Sequence, residues 1–320
     1  MKTVIAAILA SIAVLGAGSA SAQADYPNKP VRVLVAFTAG GTSDTLARAV
    51  SQKLTERFKQ NFIVDNKPGG GGNIGTEIAA RAAPDGHTLI VNSVGPMAVN
   101  PSLYKKLNIN PLVDLVPVVL IADVPNVLVV NPALPVKTLD EFVAYAKANP
   151  GKLNYGSTGV GTSSHLSGVM LGKRAAIDTT HVPYKGAEAL NDLLAGRVQY
   201  MFATIPSVIS HIRAGKLRAL AVTSVKRSRS LPEVATVADQ GFPGFEAGSW
   251  FGVFAPKGTP EPVITALNKA VNEALPGLEA QMVREGADPV GGSPAQLGQF
   301  VQKEYEKWKV VVRESGAVAE

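Results

Sequence analysis

The stretch Ala36-Phe37-Thr38-Ala39-Gly40-Gly41-Thr42-Ser43-Asp44 is the most informative part of this chain. It follows the apolar run Val31–Val35, which is typical of a buried strand. Apolar residues then recur at the spacing of one helix face, at Leu46, Val50, Leu54 and Phe58. A helix N-terminus carries unpaired N–H groups and roughly half a positive charge. We therefore predict that the turn holds a small anion. Since the turn contains no Lys or Arg, its backbone N–H groups and hydroxyls would make the contacts.

A second turn of the same construction lies far along the chain, in the other half of the sequence. It runs Asn154-Tyr155-Gly156-Ser157-Thr158-Gly159-Val160-Gly161-Thr162-Ser163-Ser164-His165, again between a short strand-like run and a helical pattern. It too offers glycines, hydroxyls and a helix N-terminus without a basic side chain. Two such turns predict two lobes that grip one small anion.

The first 22 residues have the three parts of a secretory signal peptide. Lys2 supplies the charged start, residues 4–17 the apolar core, and Ala20-Ser21-Ala22 the cleavage motif. The apolar core is shorter than the roughly 20 residues of a membrane-spanning helix. We therefore expect export, cleavage near Ala22 and a mature chain that begins near Gln23; the alternative is a retained anchor.

Composition argues against several other classes of protein. The chain has no Cys, so it has neither a disulfide framework nor a cysteine for lipid attachment. Its net charge of +6 is spread along the chain, and we interpret its densest cluster, Lys226-Arg227-Ser228-Arg229, as a solvated loop. No nucleic-acid-binding motif accompanies that cluster. The four histidines do not stand at metal-ligand spacing, so we expect no metal and no cofactor.

Short β-branched runs alternate with helical patterns, which is typical of parallel α/β layers. The predicted strands are Val31–Phe37, Phe62–Asp65, Thr88–Asn92, Val127–Val130, Val198–Phe202 and Leu217–Val222. The segments Pro117–Pro135 and Pro243–Phe254 are interpreted as two crossings between lobes. They predict a discontinuous first domain, residues 23–124 and 245–320, and an inserted second domain, residues 125–244. The ligand cleft is expected between them, at the carboxyl ends of the strands.

Two motifs of enzymes and nucleotide-binding proteins were weighed and set aside. Gly70-Gly71-Gly72-Asn73-Ile74-Gly75 matches G-x-G-x-x-G, but no acidic residue stands about 20 positions later to hold a ribose. We interpret it as a structural turn beside the cleft. The chain has no G-x-S-x-G and no H-E-x-x-H motif. Ser164 and His165 are adjacent, whereas the members of a catalytic triad meet through folding, so no catalytic residue is predicted.

Several side chains near the predicted cleft have two possible roles. Asp44 is expected to cap its helix or to contact the ligand, and His165 to fix its loop or to touch the ligand. Tyr184 and Lys185 follow a strand and face either the cleft or the surface. Asn92 and Ser93, at the end of a first-lobe strand, are further candidates for ligand contact.

A series of short motifs spans the mature sequence. In chain order they are Tyr26-Pro27-Asn28-Lys29-Pro30-Val31, Val64-Asp65-Asn66-Lys67-Pro68-Gly69, Ala83-Pro84-Asp85-Gly86-His87-Thr88-Leu89, Asn100-Pro101-Ser102-Leu103-Tyr104, Asn149-Pro150-Gly151-Lys152-Leu153-Asn154-Tyr155, Val182-Pro183-Tyr184-Lys185-Gly186 and Gly215-Lys216-Leu217-Arg218-Ala219-Leu220-Ala221-Val222-Thr223-Ser224. With these motifs and the second turn, the chain resembles the substrate-binding proteins of the tripartite tricarboxylate transporter system, the Bug or TctC family.

The resemblance implies an α/β, two-lobed periplasmic binding fold (type II-like, Venus flytrap) with two crossover segments. It implies a periplasmic receptor, not an enzyme, that is a monomer and delivers a small carboxylate to membrane permease subunits. In such proteins the first turn holds one end of the ligand and the second turn holds the other carboxylate. The residues carried over are Phe37, Gly40, Gly41 and Asp44 in the first turn, and Ser157, Gly159, Gly161, Thr162 and His165 in the second.

The chain departs from the family pattern in two places. Its first turn lacks the prolines of the common Pro-Phe-x-Pro-Gly-Gly form. Ala203 follows Met201-Phe202 where many members have Asp, which could pair with an ammonium group. If residue 203 helps to select the ligand, an aliphatic or aromatic carboxylate is favoured over an amino acid. The remaining alternatives are a periplasmic sensor for a signalling partner and an exported serine hydrolase using Ser164 and His165.

Overall fold

The computed structural model describes residues 26–186, 188–315 and 318–319. The expected signal peptide and the expected new N-terminus at Gln23 lie outside the described residues. The strands are β1 Val31–Val35, β2 Phe62–Asn66, β3 Thr88–Ser93, β4 Leu115–Val130, β5 Asn154–Ser157, β6 Thr180–Pro183, β7 Tyr200–Thr204, β8 Arg218–Val222, β9 Gly248–Pro256 and β10 Asp288–Gly291.

The α-helices lie between these strands and after the last one. They are α1 Thr42–Phe58, α2 Asn73–Ala80, α3 Asn100–Leu103, α4 Pro111–Asp114, α5 Leu139–Ala148, α6 Ser163–Ala175, α7 Glu188–Leu194, α8 Ile205–Arg213, α9 Glu261–Glu285 and α10 Pro294–Ser315. A 3₁₀ turn, Gly70–Gly72, and a π-helical turn, Gly95–Val99, complete the described elements. No helix among the described residues combines the length and the apolar character needed to cross a membrane.

The strands form two sheets that share β4. The first sheet has the order β2-β1-β3-β9-β4, with β10 also paired to β4. The second has the order β4-β7-β5-β6, with β8 also paired to β4. Strands β1, β2 and β3 pair in parallel, as do β5, β6 and β7, which agrees with the predicted α/β layers. Strands β4 and β9 run antiparallel because one leaves the first sheet and the other returns to it.

The sequence predicted only the end of β4, Val127–Val130, as a strand, because prolines interrupt the rest. In the structure β4 is one strand of 16 residues. Pro117 lies where the register with β9 shifts, and Pro125 is the last residue paired with β9. Asn126 already pairs with Thr204 of β7. Proline is tolerated in a strand where ladder bonding is irregular or changes partner, and both prolines occupy such places.

Helix caps and apolar stripes follow the sequence closely. Helix α5 begins after Thr138, whose side chain accepts a hydrogen bond from the Glu141 amide at 3.1 Å. Helix α10 buries Trp308 completely. In α1 the stripe Leu46, Val50 and Leu54 is buried against the first sheet. These packed helices fix where the turns between strands and helices point, and therefore where the site lies.

Candidate functional site

A partly open cavity lies between the two sheets, where strands of both lobes lead into helices. Its volume is about 90 Å³. A buried water needs about 10–15 Å³ on the same scale, so the cavity offers room for roughly six to nine water-sized groups. The described residues that line it are Phe37, Thr38, Gly40, Gly41, Thr42, Ser43, Ser93, Val94, Gly95, Thr158, Thr162, Ser163, Gly186, Leu190, Met201, Thr204, Ser207, Ser249 and Phe251. None of these carries a charged side chain.

The first glycine-rich turn reaches the cavity through its backbone and through the start of α1. Gly40 has a φ of +83°, a conformation that glycine adopts without strain. The N-cap of α1 is Gly41, and no side chain caps this helix. Uncapped amides at a helix N-terminus are free to bind an anion, and Gly41, Thr42 and Ser43 all line the cavity.

Asp44 supports this turn from behind and is not among the residues that line the cavity. Its carboxylate accepts hydrogen bonds from the Gly40 amide at 3.0 Å and from Arg48 Nε at 2.9 Å. Burial alone would raise the pKa of Asp44, but these hydrogen bonds lower it below its ordinary value. The side chain is therefore a charged anchor that holds Gly40 in place.

The second turn is held by a compact set of hydrogen bonds. Ser157 Oγ accepts from the Gly159 amide at 3.2 Å, and Thr162 Oγ1 donates to the Gly159 carbonyl at 2.7 Å. Helix α6 then begins at Ser163, with Thr162 as its N-cap. Thr158, Thr162 and Ser163 line the cavity, whereas Ser157 and Gly161 do not.

Two histidines stack below the second turn. The rings of His165 and His181 lie 4.1 Å apart at an interplanar angle of 23°. Burial lowers the pKa of His165 to about 4, and burial together with His165 lowers that of His181 to about 3. Both rings are therefore neutral near pH 7. The Gly161 amide donates to His165 Nδ1 at 3.3 Å, which places the ring proton of His165 on Nε2.

His165 and Ser164 are not arranged as a base and a nucleophile. Ser164 Oγ donates a short hydrogen bond to the Phe202 carbonyl, and neither residue lines the cavity. Among the described residues no group of three or more His, Asp or Glu side chains converges as a metal site would require. The histidine pair positions the turn through Gly161 and, on the other side, through the 2.6 Å contact between His181 Nε2 and Ser157 Oγ.

A third helix N-terminus points into the cavity, and the sequence analysis missed it. Helix α8 begins after Thr204, and Thr204 and Ser207 both line the cavity. Like α1, α8 has no hydrogen bond from its N-cap side chain. Thr204 Oγ1 lies 2.8 Å from Thr42 Oγ1 of α1, so the two lobes meet there. The available signal was Thr204-Ile205-Pro206-Ser207, in which Thr ends a strand and Pro follows near the start of a helix.

Three serines of the first lobe line the cavity with hydroxyls that have no protein partner. Ser43, Ser93 and Ser249 are 5%, 4% and 4% exposed, and their hydroxyls make no hydrogen bond to any described residue. None of these three oxygens is among the fully buried polar atoms, so water or a ligand in the cavity can bond to them. They come from α1, β3 and β9, so the first lobe contributes three hydroxyls that can donate to a ligand.

The other predicted contacts lie outside this cavity. Asn92 is buried and donates to Thr76 Oγ1 at 3.0 Å, which makes it a support for the end of β3. Tyr184 and Gly159 line a separate chamber, and the Tyr184 hydroxyl donates to Asp192 at 2.6 Å. Ala203 is 1% exposed and belongs to the second-lobe core rather than to the cavity wall.

At three glycines the backbone of one lobe lies against atoms of the other lobe. A Cβ at Gly161 would overlap Asn100 Oδ1, and one at Gly71 would overlap the Val160 carbonyl. A Cβ at Gly186 would overlap Thr38 Oγ1. Glycine at each of these positions allows the backbone of one lobe to approach the other.

Two sheets joined by crossing strands, with a small cavity between them at the helix N-termini, define a two-lobed periplasmic binding protein. The family model described as "Tripartite tricarboxylate transporter family receptor" matches residues 46–317. The chain belongs to this family, whose members are solute-binding receptors.

Relatives and solved structures agree with this assignment. Protein BugT of Bordetella pertussis (strain Tohama I) is 40% identical over 322 residues, which covers 99% of this chain and 98% of BugT. The periplasmic binding protein BugD has a TM-score of 0.89 at 35% identity, over 92% of this chain and 100% of BugD. R. palustris Rpa4515 with adipate has a TM-score of 0.88 at 36% identity, over 92% of this chain and 99% of that one. MatC from Rhodopseudomonas palustris with bound malate has a TM-score of 0.86 at 35% identity, over 90% of this chain and all of MatC.

Proposed function

We propose that this protein captures a small dicarboxylate in the periplasm and presents it to the membrane permease subunits of a tripartite tricarboxylate transporter. One observation carries the proposal. Three helix N-termini and the free hydroxyls of Ser43, Ser93 and Ser249 surround a cavity whose described lining residues are uncharged. An anion near a helix N-terminus gains about 0.3–2 kcal/mol per terminus, and hydroxyls supply the remaining donors. The adipate and malate of the two R. palustris structures are dicarboxylates, which supports this ligand class.

The test is a ligand screen with matched neutral compounds. We expect a dicarboxylate to raise the melting temperature of the purified protein, while the diamide of the same skeleton has no effect. Ligand at 100 times its Kd adds about 2.7 kcal/mol of stability. Calorimetry then gives the Kd. If the diamide stabilised the protein as much as the diacid, capture of the anion by helix N-termini would be wrong.

We also propose that the lobes are residues 23–124 with 245–320 and residues 125–244. Strand pairing supports the limit near residue 125 to within one residue, because Pro125 is the last residue of β4 paired with β9 and Asn126 the first paired with β7. A ligand that touches both lobes favours the closed state. We therefore expect small-angle scattering to give a smaller radius of gyration at saturating ligand than without ligand, with the protein a monomer in both. An unchanged radius would indicate a rigid site or a ligand held by one lobe.

Export to the periplasm is the remaining part of the proposal. The A-x-A motif at Ala20-Ser21-Ala22 predicts that N-terminal sequencing of periplasmic protein begins within a few residues of Gln23. Recovery of intact Met1 in the membrane fraction would instead indicate a retained anchor.

A further inference from the structure

A second chamber adjoins the cavity at Phe37 and Thr158. We call the cavity described above the inner chamber and this one the outer chamber. The outer chamber has a volume of about 230 Å³ and is bounded by Gly69–Gly72, Thr158–Val160 and Pro183–Lys185, together with Tyr104 and Phe37. Phe37, from the first lobe, and Thr158, from the second, line both chambers. These two side chains therefore stand between the chambers.

One wall of the outer chamber is bare backbone. Gly69, Gly70, Gly71 and Gly72 have φ values of +128°, +56°, +61° and +95°, all in the region that favours glycine. A Cβ at Gly72 would lie 3.2 Å from Phe37 Cζ. The glycine-rich motif that did not fit a nucleotide site thus lets Phe37 and the Val160 carbonyl of the second turn pack directly against bare backbone at this wall.

The outer chamber differs from the inner one in charge. Among the described residues that line the outer chamber, Lys185 is the one with a charged side chain. Lys185 is exposed and forms no ion pair with another described residue. An anionic group that reaches the outer chamber would therefore meet a free ammonium group, whereas in the inner chamber it meets only helix N-termini and hydroxyls.

Phe37 is held at its backbone by a hydrogen bond and at its ring by packing. Asn66 Nδ2 donates to the Phe37 carbonyl at 3.0 Å, which fixes the main chain. The side chain is partly buried and packs against the edge of the large core cluster, so turning the ring aside gives up contacts that a longer ligand must replace.

Building on the proposed function, we propose that the outer chamber is a second subsite, which takes the distal anionic group of a dicarboxylate too long for the inner chamber. Phe37 is the residue that sets ligand length. With its ring between the chambers, the inner chamber holds a short diacid alone. When the ring turns aside, the chambers join and the distal carboxylate comes near Lys185.

The test compares unbranched dicarboxylic acids of four to ten carbons with the monocarboxylic acids of the same lengths, by calorimetry. Phe37→Ala is expected to raise the ratio of ten-carbon to four-carbon diacid affinity at least about 10-fold over the unsubstituted protein. Phe37→Leu should raise it less. Melting temperature and circular dichroism show whether each variant is folded. If Phe37→Ala does not fold, the affinity ratio of Phe37→Leu is used in its place.

Charge in the outer chamber is tested in the Phe37→Ala background. Lys185→Gln is expected to weaken binding of the ten-carbon diacid about 5-fold, and to weaken the ten-carbon monoacid less. Lys216→Gln removes an exposed lysine of the same lobe that lines neither chamber, and should change neither affinity.

The outcomes separate this inference from the proposed function. If diacids bind but the length preference does not depend on residue 37, the inference is overturned and the proposed function stands. If only monoacids bind, the inference is overturned because the outer chamber receives no second anion, and the proposed function loses its dicarboxylate ligand while capture of a carboxylate stands. If no carboxylate binds the unsubstituted protein, the proposed function fails and the inference falls with it.

Discussion

Gly161→Val is expected to weaken dicarboxylate binding at least about 100-fold, the largest effect of any single substitution that we predict at the site. Gly161 has a φ of +83°, and a Cβ there would overlap Asn100 Oδ1 of the other lobe and lie 2.9 Å from Leu103 Cδ2. The side chain would therefore keep the second turn away from the first lobe. A 100-fold loss corresponds to about 2.7 kcal/mol, which is within the roughly 1–3 kcal/mol that overpacking typically costs.

A matched control separates the overlap from backbone strain. Gly215 has a φ of +68° with no atom within 4 Å of a Cβ built there, so Gly215→Val carries a similar strain without a clash. It is expected to lower stability slightly and to leave affinity unchanged. Lys185→Ala should cost less affinity than Gly161→Val. Calorimetry measures all three, and scattering should show that Gly161→Val no longer contracts with ligand. Wild-type affinity in Gly161→Val would contradict closure through this contact.

Acidification is expected to destabilise the protein at pH values above those at which carboxylates of ordinary pKa titrate. His165 and His181 have folded pKa values of about 4 and 3, lowered first by burial, whereas an unfolded histidine titrates near 6.5. Between these values the unfolded chain binds more protons, so stability present above pH 6.5 is lost as pH falls. Because both folded values lie below 5, each histidine costs about 2 kcal/mol between pH 7.5 and pH 5. Urea unfolding at several pH values measures this loss.

One carboxyl group acts in the opposite direction over part of this range. Burial, with the nearby Asp288, Glu304 and Glu246, raises the pKa of Asp123 to about 6. The folded chain therefore binds a proton there before the unfolded chain does, which adds stability as pH falls from 6 towards 4. Asp123 lies in a groove that remains open to water, so screening keeps this gain small. Asp123→Asn removes it and isolates the histidine effect.

The histidine origin of the acid effect is tested by His181→Phe. Phenylalanine can keep the stack with Tyr155 and His165 but cannot take a proton. Ser157 Oγ retains its contacts with Gly159, so the turn keeps an internal support. The fall in unfolding free energy between pH 7.5 and pH 5 should be about half that of the wild type. An undiminished fall would place the acid sensitivity elsewhere.

Much of the fold could be predicted because its signals are local. The stripe of α1, the cap of α5 and the strand β1 each depend on residues within about two helical turns of one another. The two-lobed arrangement could also be predicted, because the sequence contains two similar turns and two segments that cross between lobes. Strand β4 was only partly predicted because its prolines are acceptable only where its partner strand changes, which the sequence does not indicate.

The site was predicted less completely than the fold. Phe37, Gly40, Gly41, Ser93 and Thr162 line the inner chamber, while Gly159 and Tyr184 line the outer one. The other predicted contacts line neither chamber; they are Asp44, Asn92, Ser157, Gly161, His165 and Ala203. Which of these residues touch the ligand stays a prediction. Sequence position brought them near the turns, but side-chain direction depends on packing against neighbouring elements.

By itself, the sequence determined the two glycine-rich turns, because glycines, hydroxyls and a helix start within about ten residues are enough to build each one. Only the tertiary structure decided what surrounds the cavity. Thr42 meets Thr204 across 162 positions of sequence. Gly71 meets Val160, and the rings of His165 and His181 stack, only after the two sheets have formed around β4. Such contacts follow from strand order and lobe closure, which bring together residues that no local pattern connects.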